Sequence, residues 1–149
     1  MFSEFIGKSS PKVKNSVERG AVKKFAEAIG DPHPIFIDEE VGKASRYCTN
    51  IAPPTFPRVF DYGEINGLEL PDKGLIHGEQ VYEYTRPLLV GEEVFCYSVF
   101  EKYTEKKGSS GTMGFITVVS YGEDGNGDII FSSKQVAIIT EAVRKGMMA

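Results

Sequence analysis

Between residues 18 and 29 the apolar positions Val22, Phe25, Ala26 and Ile29 recur at i, i+3, i+4 and i+7. That spacing places them on one face and predicts an amphipathic helix. Gly30 follows, where a left-handed residue closing the helix is wanted, and Pro32 and Pro34 forbid its continuation. A short polar segment, 39–46, comes next. A second helical pattern lies in IAPPTFPRVFDYGEING. Thr55 is a good N-cap, Pro57 fits the first turn, and Phe56, Val59, Phe60 and Gly63 share a face, with Asn66-Gly67 as the stop. From residue 75 the pattern changes. Four runs rich in Val, Ile, Tyr, Phe and Thr, at 75–85, 93–105, 112–121 and 128–140, predict strands. Arg86-Pro87 through Val90-Gly91, KKGSSG and GEDGNGD separate them with turn chemistry. The third run is apolar at both parities, so it is expected to be covered on both faces.

Strands this long with such links predict an antiparallel meander. Helices first and a sheet afterwards describe an α+β domain, an antiparallel sheet wrapped around a central apolar helix beginning near Phe56. That layout is a hot-dog fold. The other face of the sheet is expected to meet a loop or another subunit. At 149 residues, with no internal repeat or linker, residues 1–149 are expected to form a single domain.

Composition narrows the function classes. The chain is 41% hydrophobic and 26% charged with a net charge of −4, which suits a soluble globular protein. No run of Lys or Arg makes a nucleic-acid stripe, and the Lys102, Lys106, Lys107 cluster sits beside a turn, where solvated charge is ordinary. No stretch approaches the ~20 apolar residues of a membrane span, and MFSEFIGKSSPKVK lacks a signal-peptide core. Cys48 and Cys96 have neither metal-like nor redox-like spacing. A cytoplasmic protein is expected, with no nucleic-acid or membrane partner. Two isolated histidines without clustered carboxylates argue against a metal site.

The run VERGAVKKFAEAIGDPHPIFIDEE, then IAPPTF, then LIHGEQVYEYTRPLLVGEEV, resembles the MaoC-like dehydratases, in particular the N-terminal, fatty-acid-synthase-like dehydratase branch. It is also similar to the non-catalytic subunit of heterodimeric (R)-hydroxyacyl dehydratases. The resemblance spans about residues 12–140 and implies a hot-dog fold. Active members carry G-D-x-N-P-I-H-x-D, whose Asp and His hold one water. One acts as base and the other as acid, in hydration of an enoyl thioester or dehydration of a 3-hydroxyacyl thioester. On that frame Gly30, Asp31, Pro34, Ile35 and Asp38 match. His33 stands at the Asn position and Phe36 at the catalytic His. A phenyl ring cannot carry a proton, so the loop reads as a catalytic loop that has lost its imidazole.

The resemblance therefore implies an accessory, pocket-forming chain of an (R)-specific enoyl-thioester hydratase, paired with a catalytic MaoC-type subunit. The acyl thioester would be carried on coenzyme A or an acyl carrier protein, with no further cofactor. Two alternatives stay open: a homodimeric hydratase using Asp31 and His33, and an acyl-CoA-binding module without turnover. A thioesterase is disfavoured because the loop shows no nucleophile or base placed for hydrolysis. Each residue also has a plainer role. Asp31 suits a turn, and His33 suits a surface turn. His77, beside Gly78 at a strand start, suits a packed, hydrogen-bonded histidine or a place at the acyl channel. By resemblance Phe36, Pro54, Thr55, Phe56 and Phe60 line the acyl pocket, and the helix N-terminus at Thr55 offers amides to a thioester carbonyl. Helix initiation and core packing would explain the same residues.

Overall fold

The computed structural model describes residues 2–148. Five antiparallel strands form one sheet in the order β1-β3-β4-β5-β2. They are β1 (Val13–Ser16), β2 (Leu75–Tyr84), β3 (Glu93–Gly108), β4 (Gly111–Glu123) and β5 (Ile129–Ile139). The four long strands lie where their composition places them. Strand β1 alternates half-buried and exposed residues over four positions, too short a pattern to be read among the N-terminal turns. No helix among the described residues is long and apolar enough to cross a membrane.

The expected meander holds only for β3, β4 and β5. Strand β2 pairs with β5, on the far side of the sheet from β3. The link after β2 is drawn into the core instead of turning back. Leu88 is buried, its carbonyl accepts from Ala52 N–H at 2.9 Å, and Val90 N–H donates to the Asn50 carbonyl at 2.9 Å. Those bonds tie the link to residues 50–52 and carry the chain across the sheet. The two hairpins do use the turn residues the sequence offers. Gly111 has φ +105, and Asp124 Oδ1 accepts from the amides of Asn126 and Asp128.

The first helix, α1 (Arg19–Ala28), forms as its periodicity predicts, with Val22 and Ala26 fully buried. The second does not. Residues Phe56–Val59 make a single 3-10 turn, and Phe60 already has extended geometry. Thr55 makes no capping bond, and Val59, expected on the buried face, is 54% exposed. Two features break the pattern after one turn: Gly63 takes φ +73, and Asn15 hydrogen-bonds both Asp61 backbone groups. The helix that the sheet was expected to enclose is thus reduced to one turn, and with it goes the expected row of amides at Thr55. Three short helices were not foreseen as such: α2 (Pro34–Ile37), α3 (Glu39–Ala44) and α4 (Glu141–Met148).

Two apolar clusters fill the inner face. One contains Val22, Ala26, Phe36, Phe56, Phe60, Cys96 and Phe131. The other gathers Phe2, Phe5, Ile65, Phe100, Ile116 and Ile139. Phe60 stacks on Phe131 at 6.1 Å and stands edge-on to Phe56 at 5.5 Å. Gly122 gives the Phe131 ring its space, because a Cβ there would overlap it. Gly122→Ala should therefore cost about 1–3 kcal/mol by overpacking, read as a lower urea midpoint at unchanged slope.

The first cluster also holds ionisable groups in their neutral forms. Burial pushes the Cys96 thiol up to about 12 and raises the Tyr62 and Tyr84 phenols well above their usual range. In the unfolded chain these groups ionise at ordinary values, so above roughly pH 9 the unfolded state sheds protons that the folded state keeps. The contribution of these three groups should be constant below that pH, and stability should fall steadily above it. Urea melts across the alkaline range check this, and an unchanged midpoint would contradict it.

Candidate functional site

The loop after α1 is built from backbone capping. Gly30, at φ +75, closes the helix, with Gly30 N–H donating to Glu27 O and Asp31 N–H to Ala26 O at 2.9 Å. His33 Nδ1 accepts from Ile35 N–H at 3.1 Å and caps α2. Asp38 Oδ1 accepts from Glu40 and Val41 amides and caps α3. Behind the loop stands Asn50, 1% exposed. Its Nδ2 donates to the carbonyls of Ile35 and Asp38, both at 2.8 Å, and its Oδ1 accepts from Arg19 Nη1 at 2.6 Å. Gly42 permits this approach, since a Cβ there would lie 2.6 Å from the Asn50 amide. One buried amide thus joins α1, α2 and α3, with both of its ends hydrogen-bonded.

The loop so held turns Phe36 inward, where it is 7% exposed. Its ring joins Ile35, Tyr47, Ile51, Pro54 and Tyr84 around a cavity of about 440 Å³. The Tyr84 hydroxyl donates to Pro54 O at 2.5 Å. At the rim Arg86 makes two 2.8 Å bonds to Glu92, whose carboxylate also takes Leu89 N–H. That pairing raises the guanidinium further above its usual range. The cavity can hold an apolar or thioester-like segment, but no residue named on its wall offers a free acid–base pair.

Asp31 and His33 are both exposed, and neither lines this cavity. The His33 lone pair at Nδ1 is occupied by the Ile35 amide, leaving Nε2 as its outward atom. Pro54 and Thr55 are exposed, whereas Phe56 and Phe60 are buried. Of these, only Phe36 and Pro54 meet at the cavity. His77, expected to be packed and hydrogen-bonded, is instead exposed on β2, because β2 is an edge strand with no neighbour on one side. Gly78 sits at a bulge beside it. A second, larger groove of about 770 Å³ lies on the inner face of the sheet under residues 57–72, where the expected helix is missing. Neither the burial of Asn50 nor this groove is marked in the sequence. A lone Asn before an apolar run carries no sign of burial, and the groove depends on strand register.

Comparison with known proteins places these features in a family. Residues 4–133 match the family model described as FAS1-like, dehydratase domain region. The chain belongs to this family. A UPF0336 protein of Streptomyces avermitilis is 35% identical over 114 residues, covering 70% of this chain and 75% of the relative. The HadBC (3R-hydroxyacyl-ACP dehydratase) complex from Mycobacterium tuberculosis has a chain of similar fold. Its TM-score is 0.73 at 17% identity, over 93% of this chain and 99% of that one. A MaoC-like dehydratase from Rhodospirillum rubrum gives a TM-score of 0.69 at 21% identity, over 91% and 92%. The fold is the hot dog of the MaoC-like dehydratases.

Asn50→Ala should remove the side-chain donor from the Ile35 and Asp38 carbonyls, leaving them only their backbone partners Ile51 and Gly42, and should take the acceptor from Arg19. A loss of about 2–3 kcal/mol is expected, with the loop 31–49 exchanging amide protons faster than β3 to β5. Hydrogen exchange read by mass spectrometry checks both parts, and uniform loosening of the whole chain would contradict the local clamp.

Proposed function

We propose that this chain is the accessory subunit of an (R)-specific enoyl-thioester hydratase or 3-hydroxyacyl-thioester dehydratase, shaping the acyl pocket beside a catalytic MaoC-type chain. The observation that carries the reading is Phe36. It is buried on the cavity wall at the position where the family motif places its proton-carrying His. The neighbouring His33 spends its lone pair on a helix cap, and Asp31 faces solvent. A water shared between an acid and a base needs both groups within hydrogen-bond reach, and this loop offers no such pair.

A partner also suits the sheet. Strand β2 presents ten residues with one unpaired edge, including the exposed Ile76. Such an edge recruits another strand unless it is blunted, and a partner hot dog continuing the sheet would cover it. HadBC, one of the structural neighbours, is itself a dehydratase complex. The 770 Å³ groove supplies room for an acyl tail entering from the partner's active centre. The thioester would arrive on coenzyme A or an acyl carrier protein.

The test is crotonyl-CoA hydration by the purified chain alone and mixed with a separately purified MaoC-type subunit. The mixture should be at least ~100-fold faster than this chain alone, the usual contribution of general acid–base catalysis. An enzyme-like rate from the chain alone would overturn the accessory reading in favour of a self-sufficient homodimer.

A further inference from the structure

The open edge of β2 carries a charge pattern of its own. Tyr82 lies on the inner face, among the groove residues. Side chains alternate along a strand, so Glu79, Val81 and Glu83 stand on the outer face. Glu79 and Glu83 are both exposed, and neither forms a salt bridge among the described residues. Lys134 on β5 is set opposite Val81 and diagonal to both carboxylates. Glu101 of β3 offsets it, sharing an outer hollow with Glu83 and Lys134. Along β2 itself the only basic side chain is His77. The edge is therefore acidic.

Beside these carboxylates the outer face turns apolar. Ile76 pairs with Ile138, and Ile138 with Phe115, a row that crosses β2, β5 and β4. Ile138 and Phe115 are half-buried, whereas Ile76, at the open end of the row, is 49% exposed. A bulge between His77 and Glu79 separates this row from the acidic stretch. From Glu79 to Tyr84 the register runs without a break, so the free backbone groups are spaced to take a further strand. An edge that charge merely blunts has no need of an apolar row running out to it. Ile76 points to a partner, and the two glutamates say which kind.

A second copy of this chain is the wrong kind. Antiparallel self-pairing about a two-fold axis centred on Val81 sets Glu79 against Glu83 of the second copy, twice. Centred on Gln80 it brings Glu79 diagonal to its own copy, and centred on Tyr82 it does the same for Glu83. Like charges opposite one another are destabilising, and diagonal neighbours remain within reach of long side chains. We propose that the β2 edge is a docking strand that selects by charge. It takes an antiparallel strand carrying Lys or Arg opposite Glu79 and Glu83 and an aliphatic side chain beside Ile76, and it rejects a second copy of this chain. That the basic strand belongs to the catalytic MaoC-type chain rests on the accessory-subunit reading.

The test mixes the wild-type chain with the double variant Glu79→Lys/Glu83→Lys, whose substitutions fall at exposed sites, and follows dimer formation by sedimentation. The mixture should dimerise at least ~tenfold more tightly than either protein alone, as like-charge contacts become ion pairs. The difference should shrink at high salt. A wild-type chain that dimerises as tightly as the mixture would overturn the inference, and so would a mixture that stays monomeric. The same double variant should bind a separately purified MaoC-type subunit at least ~tenfold less tightly than the wild-type chain does, and equal binding would again overturn it. A MaoC-type subunit that binds neither form, beside a mixture that still selects by charge, would sink the accessory reading and leave the acidic edge standing.

Discussion

The buried side-chain amide of Asn50 is the contact on which the shape of the loop depends. It is one of the few polar side chains in the core, and it makes bonds to three segments that are separate in sequence. A buried amide with all its partners in place specifies one arrangement, because any shift of the loop breaks one or more of its three bonds and leaves a buried amide group unsatisfied. The direction of Phe36, the exposure of Asp31 and the cap at His33 are set by that anchoring. The loop so held keeps His33 at the surface, with Nδ1 on the Ile35 amide.

A second constraint concerns the inner face of the sheet. With one turn in place of a long helix, aromatic rings must fill the space at one end, and Phe56, Phe60 and Phe131 do so. N-terminal aromatics Phe2 and Phe5 do the same at the other end. The centre is left as a groove over Ser98, Ser120 and Ser133. A single turn there leaves open volume where a longer helix would have packed. The long strands of the β3–β4–β5 meander frame that space.

Much of the fold was legible. The four long strands and α1 follow from period and β-branched content, which act locally and survive any tertiary context. The order of strands was not legible, because a link such as 86–91 reads as a turn until its partner at 50–52 is known. The second helix misled for a similar reason. Its apolar spacing was sound, yet the positive φ at Gly63 and the bonds from Asn15 decide the backbone. At the site, Phe36 at the His position of the motif was readable one residue at a time. Asn50 and the serines of the groove were not, since burial and register are properties of the folded sheet. Ser98, Ser120 and Ser133 look like ordinary strand residues until pairing puts them in one row.

The central claim is that no proton moves through this chain's own loop. The most direct measurement is the turnover of the assembled two-chain hydratase when this chain carries Asp31→Asn and His33→Asn together. The Asn at residue 33 keeps an acceptor for the Ile35 amide, so the cap survives while proton transfer does not. The account predicts a kcat within about twofold of the unaltered complex. A fall of ~100-fold or more, the size expected when a general acid or base is removed, would contradict it.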